Sequence, residues 1–196
     1  MKKILLITAA IIMTAASASA QKIAVKGNLL YGGGTFTPNL GVEIRLGQRS
    51  TLDLWGGYNP WERTITEDDG SETVKRLKHF IVSPEYRFWI NEPMNGHFFG
   101  VHGLYGQYDI TGHKIPFDLF DKEFRYDGSA YGGGLTYGYQ VMLGKRWGLE
   151  FSISGGYVHF EYDKYNAGTD GELVDKFKKS YFGPTKAGIT LVFLIK

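Results

Sequence analysis

Residues 39–46 read Asn-Leu-Gly-Val-Glu-Ile-Arg-Leu, and this stretch decides the fold. Its even positions, from Leu40 to Leu46, are all aliphatic, whereas its odd positions are small, polar or charged. Successive side chains of a β-strand point to opposite faces. Strict alternation over eight residues therefore indicates a strand with one apolar face.

The same period of two recurs along the chain and predicts eight strands. The first, Val25–Tyr31, has the weakest pattern. The other seven are Asn39–Leu46, Thr51–Tyr58, Phe80–Ile90, His97–Tyr108, Ala130–Met142, Gly148–Phe160 and Thr185–Ile195. A content of 27 Gly, 13 Tyr and 13 Phe in 196 residues agrees with an all-β chain that has many turns.

Charge and cysteine content exclude several classes of function. The 22 Lys and Arg residues nearly balance the 20 Asp and Glu residues, so no strong positive field favours nucleic acid. Cysteine is absent, which excludes a disulfide framework, a thiolate metal site and a cysteine nucleophile.

The first 20 residues have the pattern of a secretory signal peptide. Lys2 and Lys3 precede the apolar run 4–16, and Ala18-Ser-Ala20 matches a cleavage site between Ala20 and Gln21. The run is shorter than the roughly 20 residues that a membrane-spanning helix needs. We therefore expect a signal peptide over residues 1–20 and a single exported domain over residues 21–196.

The predicted connections alternate between short and long. Residues 47–50, 91–96 and 143–147 form short, glycine-containing turns, whereas residues 60–78, 109–128 and 161–180 form long polar loops. Short turns at one rim and long loops at the other are typical of outer-membrane β-barrels. With both termini in the periplasm, the long loops are expected to face the outside of the cell.

The distribution of charge favours the same class. Charged residues concentrate in the predicted loops, and a soluble barrel needs more Lys and Glu on its outer face than these strands contain. Aromatic residues near the predicted strand ends match the interfacial girdles of membrane barrels; they are Tyr31, Tyr58, Trp61, Trp89, Trp147, Tyr162 and Tyr181. The sequence therefore predicts an eight-stranded antiparallel up-and-down transmembrane β-barrel in the cell outer membrane.

The last predicted strand resembles the C-terminal pattern by which the outer-membrane insertion machinery recognises its substrates. Its key positions are Lys186, Gly188, Leu191 and Phe193. The strand departs from that pattern because residues 194–196 follow the terminal aromatic. Insertion machinery and outer-membrane lipids are thus expected partners.

The positions opposite to the apolar face predict a charged interior. Side chains just fill a barrel of eight strands, so charges inside it must pair with one another. The predicted interior network consists of Glu43, Arg45, Asp53, Glu85, Arg87, His102, Glu150 and Lys186.

Catalytic and metal sites have weaker support in the sequence. His97 and His102 are five residues apart on one predicted strand, so they face opposite ways and cannot share a metal. Nor do the other histidine spacings resemble a ligand set, so neither a metal nor another cofactor is expected. The predicted strands allow two groupings of Ser and His at the barrel rim. One is His159 with Glu161 and Ser180, and the other is His79 with Ser83, but neither carries a recognised motif.

Two loop features have ordinary explanations. Phe117, Phe120 and Phe124 have helical spacing, which predicts a short amphipathic helix folded over the barrel mouth, with a partner-binding patch as the alternative. Glu67, Asp68, Asp69 and Glu72 form an acidic loop tip that is either solvated or a weak cation site.

Six ordered motifs spread over the chain resemble the domain-of-unknown-function 3575 family. They are Pro38-Asn-Leu-Gly-Val-Glu43, Leu52-Asp-Leu54 with Tyr58-Asn-Pro-Trp61, Asn95-Gly-His-Phe-Phe-Gly-Val-His102, Gly106-Gln-Tyr108, Leu143-Gly-Lys-Arg-Trp147 and Tyr181-Phe-Gly-Pro-Thr-Lys-Ala187. The resemblance implies a small outer-membrane β-barrel of Gram-negative anaerobes. It implies no activity and no catalytic residues.

We therefore expect a non-enzymatic outer-membrane barrel whose long extracellular loops have a structural or surface-interaction role in the cell envelope. An envelope or surface protein is the expected partner of those loops. One alternative is an outer-membrane lipid-modifying enzyme of the lipid A deacylase or acyltransferase type. The other is a soluble periplasmic lipocalin-like binder of an apolar ligand.

Overall fold

The structure is a computed structural model that describes residues 22–66, 72–113, 120–121, 123–166 and 171–195. The predicted signal peptide with its cleavage site, the acidic residues 67–69 and Phe117 lie outside the described residues. The same holds for the side chain of Glu72.

The described residues form nine β-strands and one short helix. In chain order they are β1 (Ile23–Asn28), α1 (Leu29–Thr35), β2 (Asn39–Arg45), β3 (Ser50–Asn59), β4 (Glu62–Thr66), β5 (Glu72–Trp89), β6 (Gly96–Thr111), β7 (Phe124–Met142), β8 (Trp147–Asn166) and β9 (Leu173–Leu194). Among the described residues, no helix is long and apolar enough to cross a membrane.

Eight of the strands form a closed ring of antiparallel hydrogen bonding. The ring runs in the order β3-β2-β1-β9-β8-β7-β6-β5, and β3 closes it by pairing with β5. The pairing of β1 with β9 joins the two ends of the chain. The all-β antiparallel prediction is confirmed, and each of the eight predicted strands contributes to one strand of the ring.

The ninth strand, β4, was not predicted. It lies within the expected loop 60–78 and pairs with the first part of β5, Glu62 opposite Arg76. The expected loops 109–128 and 161–180 are also mostly strand, because β6, β7, β8 and β9 continue past the apolar part of the ring. The predicted loop boundaries were therefore wrong. In the extensions the outer face becomes charged and apolar side chains such as Tyr126 and Tyr162 lie on the inner face, so the alternation changes phase while the backbone pairing continues.

The first predicted strand ends earlier than expected. It stops at Asn28, whose side chain accepts a hydrogen bond from the backbone N–H of Tyr31 and so caps α1. Phe36 then adopts a left-handed conformation with φ of 51°, which ends the helix. Val25–Tyr31 was therefore wrong as a single strand.

The outer wall of the ring is apolar. Large side chains there are strongly exposed, including Leu135 at 69%, Val101 and Ile153 at 61% and Phe182 at 84%. Of the seven aromatic residues predicted to form a girdle, Tyr58, Trp61 and Trp147 lie exposed. For the other four the prediction was wrong, because they contribute to the inside of the ring; they are Tyr31, Trp89, Tyr162 and Tyr181.

An apolar cluster fills the ring at the end with the short turns. Trp89 and Phe98 are fully buried with ring centroids 4.8 Å apart, and Met94 from the turn between β5 and β6 packs beside them. Gly138 makes this packing possible, because a Cβ atom there would lie 2.3 Å from the Phe98 ring. A second apolar cluster, around Tyr108, Phe120 and Tyr126, occupies the opposite end.

Candidate functional site

Arg87 lies at the centre of a buried ion-pair network inside the ring, next to the apolar cluster of Trp89 and Phe98. Its side chain is 4% exposed, and it bonds Glu85 through Nε at 2.7 Å and Asp53 through Nη2 at 3.0 Å. Its Nη1 bonds Glu43 at 3.1 Å and Glu150 at 2.9 Å. One guanidinium thus contacts carboxylates from three other strands and from its own, because all these positions point inward in the register.

Lys26 is a member of this network that sequence reasoning missed. It is 3% exposed, it donates to Glu150 at 2.6 Å, and it also pairs with Glu43. The sequence carries a signal for it: Val25 continues the apolar outer face, so Lys26 must point inward. The shortness of β1 concealed that signal.

Lys186 and His102 extend the network toward the end with the long connections. Lys186 donates to Glu85 at 2.6 Å, and the two nitrogens of His102 lie 3.1 Å from the hydroxyls of Thr136 and Thr185. A β-bulge in β9 opposite Ser154 and Gly155 adds an extra residue, so that both Thr185 and Lys186 reach the interior.

The network brings together four acids and three bases. The acids are Glu43, Asp53, Glu85 and Glu150, and the bases are Lys26, Arg87 and Lys186. Arg45 was predicted to join them, and this was wrong. It lies half-buried at the end of β2, where its Nε donates to the carbonyl of Gly47 at 2.8 Å. Arg45 occupies an inward position in the alternation of β2, but because it lies next to the turn its side chain bonds that turn instead.

A cavity lies between the charged network and the apolar cluster around Tyr108, Phe120 and Tyr126. Its volume is about 390 Å³, and its lining includes Leu104, Ile110, Phe120 and Val158. His79 reaches its wall and bonds the hydroxyl of Tyr31 at 2.6 Å through Nε2.

The two Ser/His groupings noted in the sequence have different outcomes. His79 and Ser83 do not form a pair, because His79 bonds Tyr31 and Ser83 accepts from Lys186 at 3.3 Å. His159, Glu161 and Ser180, in contrast, are neighbours on the outer wall. His159 Nδ1 lies 3.2 Å from Ser180 Oγ, and its Nε2 lies 3.6 Å from Glu161 Oε1.

The four residues of the predicted insertion pattern lie on both faces of β9. Lys186 and Gly188 face the interior, whereas the Phe193 ring packs on Trp147 with centroids 4.8 Å apart. Leu191 is partly buried and pairs with Leu149 of β8. Among the described residues there is no group of three or more His, Cys, Asp or Glu side chains that could hold a metal ion.

Comparison with known proteins adds a family and nothing more specific. The family model described as "Protein of unknown function (DUF3575)" matches residues 4–195, nearly the whole chain. No curated protein matches. No solved structure matches either.

Proposed function

Because the chain belongs to the domain-of-unknown-function 3575 family, whose description names no activity, we propose a function from its structure. The protein is an outer-membrane β-barrel with a filled interior, exported by a cleaved signal peptide. Its role is structural or one of surface contact, and the strand extensions beyond the membrane carry that role.

The observation that carries this proposal is the inverted polarity of the ring. The interior holds the paired charges around Arg87, while Leu, Val, Ile, Phe and Tyr side chains cover the outside. A water-soluble barrel has the opposite arrangement, with an apolar interior and a charged surface. The soluble lipocalin-like alternative therefore has less support than a membrane barrel.

The height of the apolar wall also fits a membrane. On β8 the outward aromatics Trp147 and Tyr157 lie ten residues apart, and both are about half exposed. Ten residues of strand extend roughly 33 Å. For a strand tilted by about 40° from the membrane normal, this length spans about 25 Å along that normal. This is close to the height of the apolar band of an outer-membrane barrel.

Beyond this wall the strands carry charge on their exposed faces. Glu161 pairs with Lys178 at 3.0 Å, and Asp163 pairs with Lys176 at 3.3 Å, both across β8 and β9. Opposite charges at paired positions stabilise the exposed face of this hairpin. They form the surface through which we propose contact with envelope or surface proteins.

Single-cysteine labelling tests the placement and its orientation, because the natural chain has no cysteine. The Glu172→Cys variant places a thiol between β8 and β9, and Lys145→Cys places one in the short turn between β7 and β8. A membrane-impermeant maleimide is expected to label the first variant in intact Gram-negative cells. The second should react only after the outer membrane is permeabilised.

Three results separate the alternatives. Labelling of Lys145→Cys alone in intact cells would mean that the orientation is inverted. Recovery of the protein in the soluble periplasmic fraction would overturn the membrane placement. A folded barrel should also migrate differently on a denaturing gel before and after boiling.

A second candidate function has one specific observation in its favour. This candidate is a lipid-modifying enzyme. Ser180 Oγ lies 3.2 Å from His159 Nδ1 on the outer wall, which is the arrangement that such an enzyme needs for its nucleophile.

A further inference from the structure

His159 lies within a group of three polar side chains on the outer wall, namely Ser180, Tyr157 and Glu161. Ser180 Oγ lies 3.2 Å from His159 Nδ1 and 2.8 Å from the hydroxyl of Tyr157. On the other side of the imidazole, Nε2 lies 3.6 Å from Glu161 Oε1. The group is built by register: His159 is directly opposite Ser180, and Glu161 is two residues further along the same face of β8.

This order of groups is that of an activated serine nucleophile. A neutral imidazole with its proton on Nε2 faces the carboxylate and leaves Nδ1 as the acceptor for the Ser180 hydroxyl proton. Tyr157 then donates to Ser180 and is the nearest side-chain donor for an oxyanion. Lys178 bonds the same Glu161 oxygen at 3.0 Å and holds the pKa of that carboxyl below its usual range, so that Glu161 remains charged.

We propose that Ser180, His159 and Glu161 hydrolyse fatty-acyl esters of membrane lipids, an inference that rests on the proposed membrane placement. The position of the group selects this substrate class. On the same face of β9, Ser180 lies between Phe182 and Lys178, each two residues away along the strand. Phe182 is 84% exposed. A lipid in the outer leaflet would lay its acyl chain on Phe182, its ester at Ser180 and an anionic headgroup near Lys178.

The reaction balances without a further reactant except water. Ser180 Oγ bonds to the ester carbonyl carbon while its proton passes to His159 Nδ1. The bond from that carbon to the alcohol oxygen then breaks, and His159 returns the proton to the leaving alcohol. A water molecule deprotonated by His159 cleaves the acyl-serine, which releases a fatty acid and restores the Ser180 hydroxyl.

The test uses the full mature chain folded into two kinds of vesicle, one of phosphatidylethanolamine with phosphatidylglycerol and one of purified lipopolysaccharide. Fatty acid release is followed by mass spectrometry, and a fluorophosphonate probe reports on the nucleophile. We expect release from one vesicle type, which identifies the lipid source, and probe labelling at Ser180. Ser180→Ala and His159→Ala should each lower the rate at least about 100-fold and abolish the labelling.

Two further variants separate catalysis from folding. Glu161→Gln should lower kcat by roughly tenfold and leave KM unchanged, because Glu161 is a positioning residue that orients the imidazole and does not touch the lipid. His97→Ala is the matched control: His97 also lies on the outer wall and bonds a tyrosine, Tyr137, at 2.8 Å, but at the other rim. It should leave the rate unchanged.

Each remaining outcome decides the proposal. A chain that inserts but releases no fatty acid from either vesicle overturns the esterase and leaves the membrane placement standing, whatever the probe labels. Equal release by Ser180→Ala also overturns it. A chain that inserts into neither vesicle overturns the membrane placement, and the esterase with it.

Discussion

Arg87 shows how one buried residue organises a polar interior. A carboxylate inside a narrow ring costs several kcal/mol of desolvation unless a cation and hydrogen bonds compensate for it. Arg87 bonds four of them at once, Lys26 and Lys186 supply the other two positive charges, and the guanidinium also stacks 4.5 Å from the centroid of Phe98. Lysine cannot replace this geometry, because its single nitrogen lacks the planar fork.

Replacing Arg87 by leucine is expected to lower the free energy of unfolding by roughly 3–5 kcal/mol, because it leaves buried carboxylates without a partner. Equilibrium unfolding by urea in detergent micelles measures the effect. Lys75→Leu is the control: Lys75 is an exposed residue of the same strand, and the cost there should be at most about 0.5 kcal/mol. Equal midpoints for wild type and Arg87→Leu would contradict a stabilising role of the network.

The alternation of inward and outward positions along a strand was enough to indicate most of the interior charges, but it failed at two kinds of position. Trp89 obeys it, since it lies two residues from Arg87 and is also buried; the girdle prediction for Trp89 failed because it relied on the strand end alone. Arg45 has inward parity and bonds the turn instead. Thr185 reaches the interior only because of the bulge in β9, and an inserted residue leaves no mark on the pattern of hydrophobicity.

At the scale of elements, the part of each strand with an apolar outer face could be predicted, whereas its extension beyond that part could not. Alternation reports a single apolar face. In the extensions the apolar side chains, such as Tyr126 and Tyr162, lie on the inner face instead, and this change of phase hides the continuing strand. What indicates the extension of β8 and β9 is the occurrence of opposite charges at paired positions, such as Asp163 with Lys176. That pattern becomes visible only when the register is known.

The β4–β5 hairpin is held by charge in the same way. Arg76 bonds Glu62 of β4 at 2.9 Å and Asp109 of β6 at 3.2 Å, and Lys78 also pairs with Glu62. The hydrogen bonds from Arg76 and then from Lys78 lower the pKa of Glu62 to about 2. A single carboxylate thus ties β4 to the edge of the ring extension.

Acid is therefore expected to loosen this hairpin. Because the pKa of Glu62 is lower in the folded state, its contribution is fully present above the unfolded pKa of about 4.5 and is lost as the pH falls toward 2. Hydrogen-exchange protection factors of the β4 amides should decrease over that range. In Glu62→Gln they should already be lower at pH 6 and change less with acid. A pH-independent protection in wild type would contradict this assignment.

At the scale of the whole molecule, the ring follows from simple constraints. Eight strands with short turns at one rim must pair with their chain neighbours, and closure removes the unpaired edges that an open sheet would expose. The pairing of β1 with β9 and of β3 with β5 completes this closure. The cavity beside His79 and the helix α1 depend on side-chain packing and could not be predicted, whereas the grouping of His159 with Glu161 and Ser180 could be.

The same packing predicts that the protein is not an open pore. An ion entering from the rim with the short turns meets Trp89, Phe98 and Met94, each at most 1% exposed, and behind them the paired charges around Arg87. Eight strands enclose only enough space for such side chains. Purified wild-type protein in planar bilayers should therefore give no stable conductance steps, while an open porin in the same bilayer gives them. Insertion is verified by the mobility difference between boiled and unboiled samples. Reproducible single-channel steps from wild type would show that water and ions pass the Trp89 cluster, and the filled interior would then have to be abandoned.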